Sequence, residues 1–114
     1  MEIEEVLEPD QARELVASNK ATALDIREDE QWREKRVPGA RHADEDDLEA
    51  TLEEIDDEQI LLVVCEDGER SAELAGKLRD DGRDAASIDG GMKAWEKEKL
   101  PLAPSTDPAD DAKV

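Results

Sequence analysis

Ile60-Leu61-Leu62-Val63-Val64 places five aliphatic side chains in a row with no polar residue between them, and the run stops at Cys65, the only cysteine of the chain. A strand with one wet face alternates apolar and polar residues, whereas a strand buried on both faces, as in a parallel sheet, has no need to. The β-branched Ile60, Val63 and Val64 favour strand over helix. Cys65 therefore stands at a strand's carboxyl end, and in open α/β sheets the ligand crevice lies outside the carboxyl ends of the strands.

Beyond the cysteine, Ser71 opens a helical pattern in which Ala72, Leu74, Ala75 and Leu78 recur before Gly82 ends it. The intervening loop closes onto a helix N-terminus, where free backbone N–H groups and the helix dipole stabilise anions and favour a thiolate over a thiol. A lone cysteine is otherwise often a small buried hydrophobe. Its place between strand end and helix start makes Cys65 a candidate nucleophile.

Strands and helices alternate around this centre. Val6-Leu7 reads as a short strand, and Pro9 at the first helical position opens a helix with Ala12, Leu15 and Val16 on one face, running to near Asn19. Ala21 to Leu24 reads as a second strand ending at Asp25-Ile26-Arg27, followed by a brief helix from Glu28 to Lys35 around Trp32. Asp25 and Arg27 are expected to be structural support, pairing with each other or with backbone at the strand end. Val37-Pro38-Gly39-Ala40 is a turn, and Arg41-His42-Ala43 a short strand near the sheet edge, with the sole histidine a structural group. An acidic helix spans Asp44 to Ile55, with Leu48, Leu52 and Ile55 at i, i+4 and i+7. Ala85 to Ile88 gives a fifth strand, and Gly90-Gly91 a tight return into a last helix from Met92 to about Lys99. The expected fold is α/β, a mostly parallel five-stranded sheet with helices on both faces. It occupies residues 1–102, and 103–114, acidic and without periodicity, is expected to be a disordered tail.

Three motifs carry a family resemblance. Cys65-x-x-Gly68-x-Arg70-Ser71 resembles the active-site loop of single-domain rhodaneses, sulfurtransferases that carry sulfur as a cysteine persulfide. Asp25-Ile26-Arg27 with Trp32 and Val37-Pro38-Gly39-Ala40 resembles the family's first signature, and Gly90-Gly91-Met92-x-Ala94-Trp95 its closing one. The resemblance implies a rhodanese-like fold and catalysis by Cys65, with Glu66, Asp67, Gly68, Glu69, Arg70 and Ser71 forming the loop that holds the persulfide. It implies a sulfur donor and a thiol or protein acceptor as partners, and no metal or organic cofactor. The chain departs from the pattern at Lys35-Arg36, where Gly-His is common, and at Gln31, where an acid is usual. Glu66 stands where members acting on thiosulfate often carry arginine. Phosphatases that share the fold use a Cys-x5-Arg loop, and the shorter Cys65-x4-Arg70 encloses too small a cradle for a phosphoryl group. The alternative is a sulfur-relay or protein-interaction module with little turnover on small molecules.

Charge bounds the partners further. Of 114 residues, 34 are acidic and 15 are Lys or Arg, a formal charge of -19, which opposes binding to nucleic acid or an anionic membrane. With no Phe or Tyr and only Trp32 and Trp95 as aromatics, the chain looks like a cytosolic protein of a salt-accumulating extreme halophile. A single cysteine allows no internal disulfide. The acidic N-terminus resembles no secretion signal, and no stretch of 18 apolar residues occurs, so a soluble, cytoplasmic protein is expected, as a monomer or weak dimer. Repulsion among 19 net charges rivals a total stability of about 5–15 kcal/mol. Circular dichroism should accordingly show the fold loosening as salt is dialysed away and returning in molar KCl; equal spectra at both extremes would refute this.

Overall fold

The aliphatic run is the middle of the sheet. The structure, a computed structural model, describes residues 4–43 and 45–103. Five strands, β1 (Val6–Leu7), β2 (Ala21–Asp25), β3 (Arg41–His42), β4 (Ile60–Val64) and β5 (Ala85–Ile88), lie in the order β1-β5-β4-β2-β3, and every pairing is parallel. Five α-helices connect them: α1 (Pro9–Ala17), α2 (Asp29–Glu34), α3 (Leu48–Glu53), α4 (Glu69–Asp80) and α5 (Gly91–Lys97). The expected α/β architecture is the one found.

Because side chains alternate along a strand, β4 serves two cores at once. Ile60, Leu62 and Val64 face Ala12 of α1 and Met92 and Trp95 of α5. Leu61, Val63 and, beyond the strand, Cys65 face Leu52 of α3 and Ala75 and Leu78 of α4. Every residue of β4 is buried. Register then fixes the neighbourhood of the site: Asp25 at the end of β2 pairs with Val64 at the end of β4, and the Ile26 N–H donates to the Val64 carbonyl at 3.0 Å. The chain therefore leaves both strands side by side, bringing Arg27 and Cys65 out at the same sheet edge.

Three boundaries differ from the periodicity. The acidic helix is a 3-10 turn at Glu45–Asp47 followed by the short α3, because an unbroken cluster of acids resists a regular helix, while Leu48, Leu52 and Ile55 still reach the core. The helix α4 begins at Glu69, two residues earlier than the apolar pattern, since its polar first turn carries no hydrophobic signal. At the other end, Trp95 Nε1 donates to the Pro101 carbonyl at 2.8 Å, and Ala103 forms an antiparallel bridge with Arg36. The tail expected over 103–114 lies, from residue 104 on, outside the described residues. Among the described residues no helix is long and apolar enough to cross a membrane.

Leu62, fully buried at the centre of the sheet, reports on this arrangement. Leu62→Ala should cost about 2–5 kcal/mol in urea unfolding, because the cavity it leaves is walled by strands on both sides. A loss below about 1 kcal/mol would contradict the central placement of β4.

Candidate functional site

The sulfur of Cys65 caps a helix. Gly68, the N-cap of α4, has φ 92° and supplies no side chain, so the first turn's N–H groups need another acceptor. Cys65 Sγ provides it. The Gly68 N–H donates to Sγ at 3.1 Å and the Ser71 N–H at 3.3 Å, while the Ser71 hydroxyl lies 3.2 Å away, able to accept from a thiol or donate to a thiolate. Asp67 Oδ1, 3.8 Å from Sγ, accepts the Glu69 N–H at 3.0 Å and so tightens the turn. Cys65 and Ser71 are both buried.

The loop is held from below by α5. The Met92 N–H donates to the Cys65 carbonyl at 2.9 Å and the Lys93 N–H to the Glu66 carbonyl at 3.0 Å. This approach needs two glycines. A Cβ on Gly91 would stand 2.5 Å from the Cys65 carbonyl oxygen, 2.6 Å from the Gly68 nitrogen and 2.7 Å from the Glu66 carbonyl oxygen. One on Gly68 would meet the Ile88 carbonyl oxygen at 2.8 Å. Gly90-Gly91 is legible in the sequence as a tight return; its closeness to the cysteine loop is not, because that depends on where α5 lands.

Beside the loop, Arg27 and Asp25 form a buried bidentate pair. Arg27 Nε donates to both Asp25 oxygens at 3.0 and 3.1 Å, Nη2 to Oδ2 at 2.8 Å, and the Arg27 N–H to Oδ1 at 2.9 Å. Nη2 also donates to the Lys35 carbonyl at 2.5 Å. Burial works against the Arg27 charge, but hydrogen bonding and attraction from Asp25, then from Glu66, outweigh it and hold its pKa above the usual value. Arg27 stays cationic at any working pH. The mutual pairing expected of Asp25 and Arg27 at the strand end is therefore present. His42 Nε2 lies 2.7 Å from the Arg27 carbonyl and its ring stacks on Trp32, centroids 4.9 Å apart, with Arg36 over the other ring at 4.6 Å. That stack braces the backbone of Arg27 and keeps the histidine away from the sulfur's hydrogen bonds.

Cys65 opens into a cleft of about 440 Å³ lined by Arg27, Glu28, Gln31, Cys65, Glu66, Asp67, Glu69 and Arg70. Of the loop residues singled out in the sequence, Glu66, Asp67, Glu69 and Arg70 line this mouth, whereas Gly68 and Ser71 turn inward to the sulfur. Asp25 stands behind Arg27. Glu28 and Gln31 were not singled out as site residues; they reach the mouth from the segment after β2, a placement set by the β2–β4 register rather than by any local pattern. A larger cleft of about 790 Å³ adjoins and shares Arg27, Glu28 and Arg70.

Comparison with known proteins shows the family of the chain. A family model described as a rhodanese-like domain matches residues 8–98. The chain belongs to the rhodanese-like family. It is 31% identical over 101 residues to YtwF of Bacillus subtilis, whose name carries a provisional sulfurtransferase assignment, covering 89% of this chain and 98% of the relative. It is 32% identical over 97 residues to GlpE of Actinobacillus pleuropneumoniae serotype 3, named a thiosulfate sulfurtransferase, covering 84% of this chain and 90% of the relative. Among solved structures, a rhodanese-related protein from Thermoplasma volcanium superimposes with a TM-score of 0.78 over 90% of this chain and all of its own, at 20% identity, a likeness of fold.

The rhodanese-like loop should fail when its floor is altered. Gly91→Ala should slow alkylation of Cys65 by about tenfold or more and destabilise the domain by about 2–4 kcal/mol, since the added methyl group meets backbone that cannot step aside. Gly82→Ala, with open space around its Cβ, should lose only about 1–2 kcal/mol of stability, through backbone strain alone, and leave alkylation unchanged. Similar behaviour of the two variants would show that α5 does not support the loop.

Proposed function

We propose that this rhodanese-like domain is a sulfurtransferase that takes sulfane sulfur onto Cys65 as a persulfide and yields it to a thiol or protein acceptor. The observation that carries the reading is the sulfur of Cys65 held by two N–H groups and a hydroxyl at a helix N-terminus, with a cleft outside it. Those donors are aimed at the atom on which negative charge sits when the sulfur attacks or departs. In the first step the thiolate attacks the donor's outer sulfur; an S–S bond forms to Sγ, and the donor's own bond to that sulfur breaks with its electron pair leaving on the donor. In the second, an acceptor thiolate attacks the outer sulfur of the persulfide, and Cys65 departs as thiolate. Splitting the transfer into two displacements is covalent catalysis.

Sγ bears negative charge before the first displacement and again after the second, so a cradle of fixed donors serves both. Neither step calls for a metal or organic cofactor. Asp25 acts as a positioning residue, through Arg27, and Gly68 and Gly91 set the shape of the loop. The acid surplus supports work in a salt-rich cytoplasm.

Cys65→Ser tests the assignment. Mass spectrometry of the parent after exposure to a sulfur donor should show the gain of one sulfur atom on the Cys65 peptide, and thiocyanate should form when cyanide is added. The serine variant should show neither. Thiocyanate formed at the parental rate by the serine variant would overturn the reading.

A further inference from the structure

Arg27 lies beside the cysteine loop, and a residue of that loop covers it. Its Nε and Nη2 are turned inward to Asp25 and the Lys35 carbonyl, while Nη1 meets Glu66 Oε2 at 3.5 Å. Gln31 Nε2 reaches the same oxygen at 3.4 Å. The side chains of Arg27 and Asp25 are 4% and 0% exposed, that of Glu66 36%. Glu66 is therefore the solvent-side member of the group, and it belongs to the residue next to the nucleophile. Both contacts are long, which marks an electrostatic cap rather than a rigid lock.

The mouth's charge reinforces the cap. Arg27 and Arg70 line it against Glu28, Glu66, Asp67 and Glu69, and Asp25 neutralises Arg27 from behind. An anion approaching Sγ meets the Glu66 carboxylate at the outward face of Arg27 and more carboxylates around it. We propose that Glu66 is a specificity-determining residue: by capping Arg27 it turns the mouth away from dianionic donors such as thiosulfate and toward a less charged hydropersulfide, taken in its protonated form R–S–SH. This deepens the proposed sulfurtransferase reading and rests on it. With such a donor the Cys65 thiolate bonds to the outer sulfur, the R–S bond to that sulfur breaks, R–S⁻ leaves with the electron pair, and the proton stays on the transferred sulfur. No oxidant or other reactant is required.

Two measurements separate this inference from the reading beneath it. Because Cys65 is the sole cysteine, its alkylation by neutral iodoacetamide and anionic iodoacetate reports the mouth's discrimination against anions without any sulfur transfer. At the lowest salt that keeps all variants folded, Glu66→Gln should raise the iodoacetate-to-iodoacetamide rate ratio by about three- to tenfold. Glu28→Gln removes the same charge from the same mouth without uncovering Arg27, and should raise it by less than half as much. An unchanged ratio in Glu66→Gln, or an equal rise in both variants, would overturn the cap. In thiocyanate assays Glu66→Gln should lower the thiosulfate KM severalfold and change that of a simple alkyl hydropersulfide, at most a monoanion, by less than about twofold. Equal changes for the two donors would overturn the specificity role. If neither donor is turned over, the sulfurtransferase reading fails while the alkylation ratio still decides the cap.

Discussion

The site depends on a contact between two glycines. With a side chain at Gly91 the backbone of α5 could not lie against the Cys65 carbonyl, the Gly68 nitrogen and the Glu66 carbonyl. Lying there, α5 donates two N–H groups to the loop's carbonyls, while α4 turns its own toward the sulfur. Cys65 is thus fixed at both ends, its main chain by one helix and its side chain by another. Backbone hydrogen bonds cost no reorganisation when charge appears on the sulfur, which is why such a cradle suits a nucleophilic sulfur.

Electrostatics at this site work at two ranges. Closest to the sulfur are two amides and a hydroxyl, acting over about 3 Å, with the Asp67 carboxylate next at 3.8 Å. Farther out, carboxylates ring the mouth and one of them covers a guanidinium. Salt screens the outer ring and leaves the inner contacts nearly untouched. A protein carrying this many acids can therefore keep an anion-stabilising centre within an anion-repelling surface, because its donors touch the sulfur directly while most of the carboxylates stand farther out.

Most of the fold was legible because its strongest signals are local. Ile60 to Val64 could be read as a doubly buried strand from five letters, and the helix through Ala75 and Leu78 from its spacing. The cysteine's position at a strand end and helix start followed from those two readings, and the inward-facing Ser71 N–H from the helix N-terminus. What stayed hidden was set by register and landing. Nothing near Gln31 or Glu28 points to Cys65; they arrive there because Asp25 pairs with Val64. Gly91 reads as a turn residue, and only the approach of α5 shows it to be the floor of the site. The acidic segment before Leu48 misled in a different way, since its apolar residues keep helical spacing even though the chain through Glu45–Asp47 is a tighter turn.

The central position of β4 also bears on how the chain reaches this structure. Its two partners come from opposite sides of it in the sequence, β2 from Ala21–Asp25 and β5 from Ala85–Ile88, and parallel pairing across such separations is slow to form. Until both arrive, Ile60 to Val64 is an open, uncharged, β-prone segment of the kind that joins other chains edge to edge. It is bracketed by Asp56, Asp57 and Glu58 on one side and Glu66, Asp67 and Glu69 on the other. Charges flanking a sticky strand act as gatekeepers against aggregation. The carboxylates around the cysteine thus have a second use that is over before the site exists: they keep nascent copies of the strand apart while the sheet assembles.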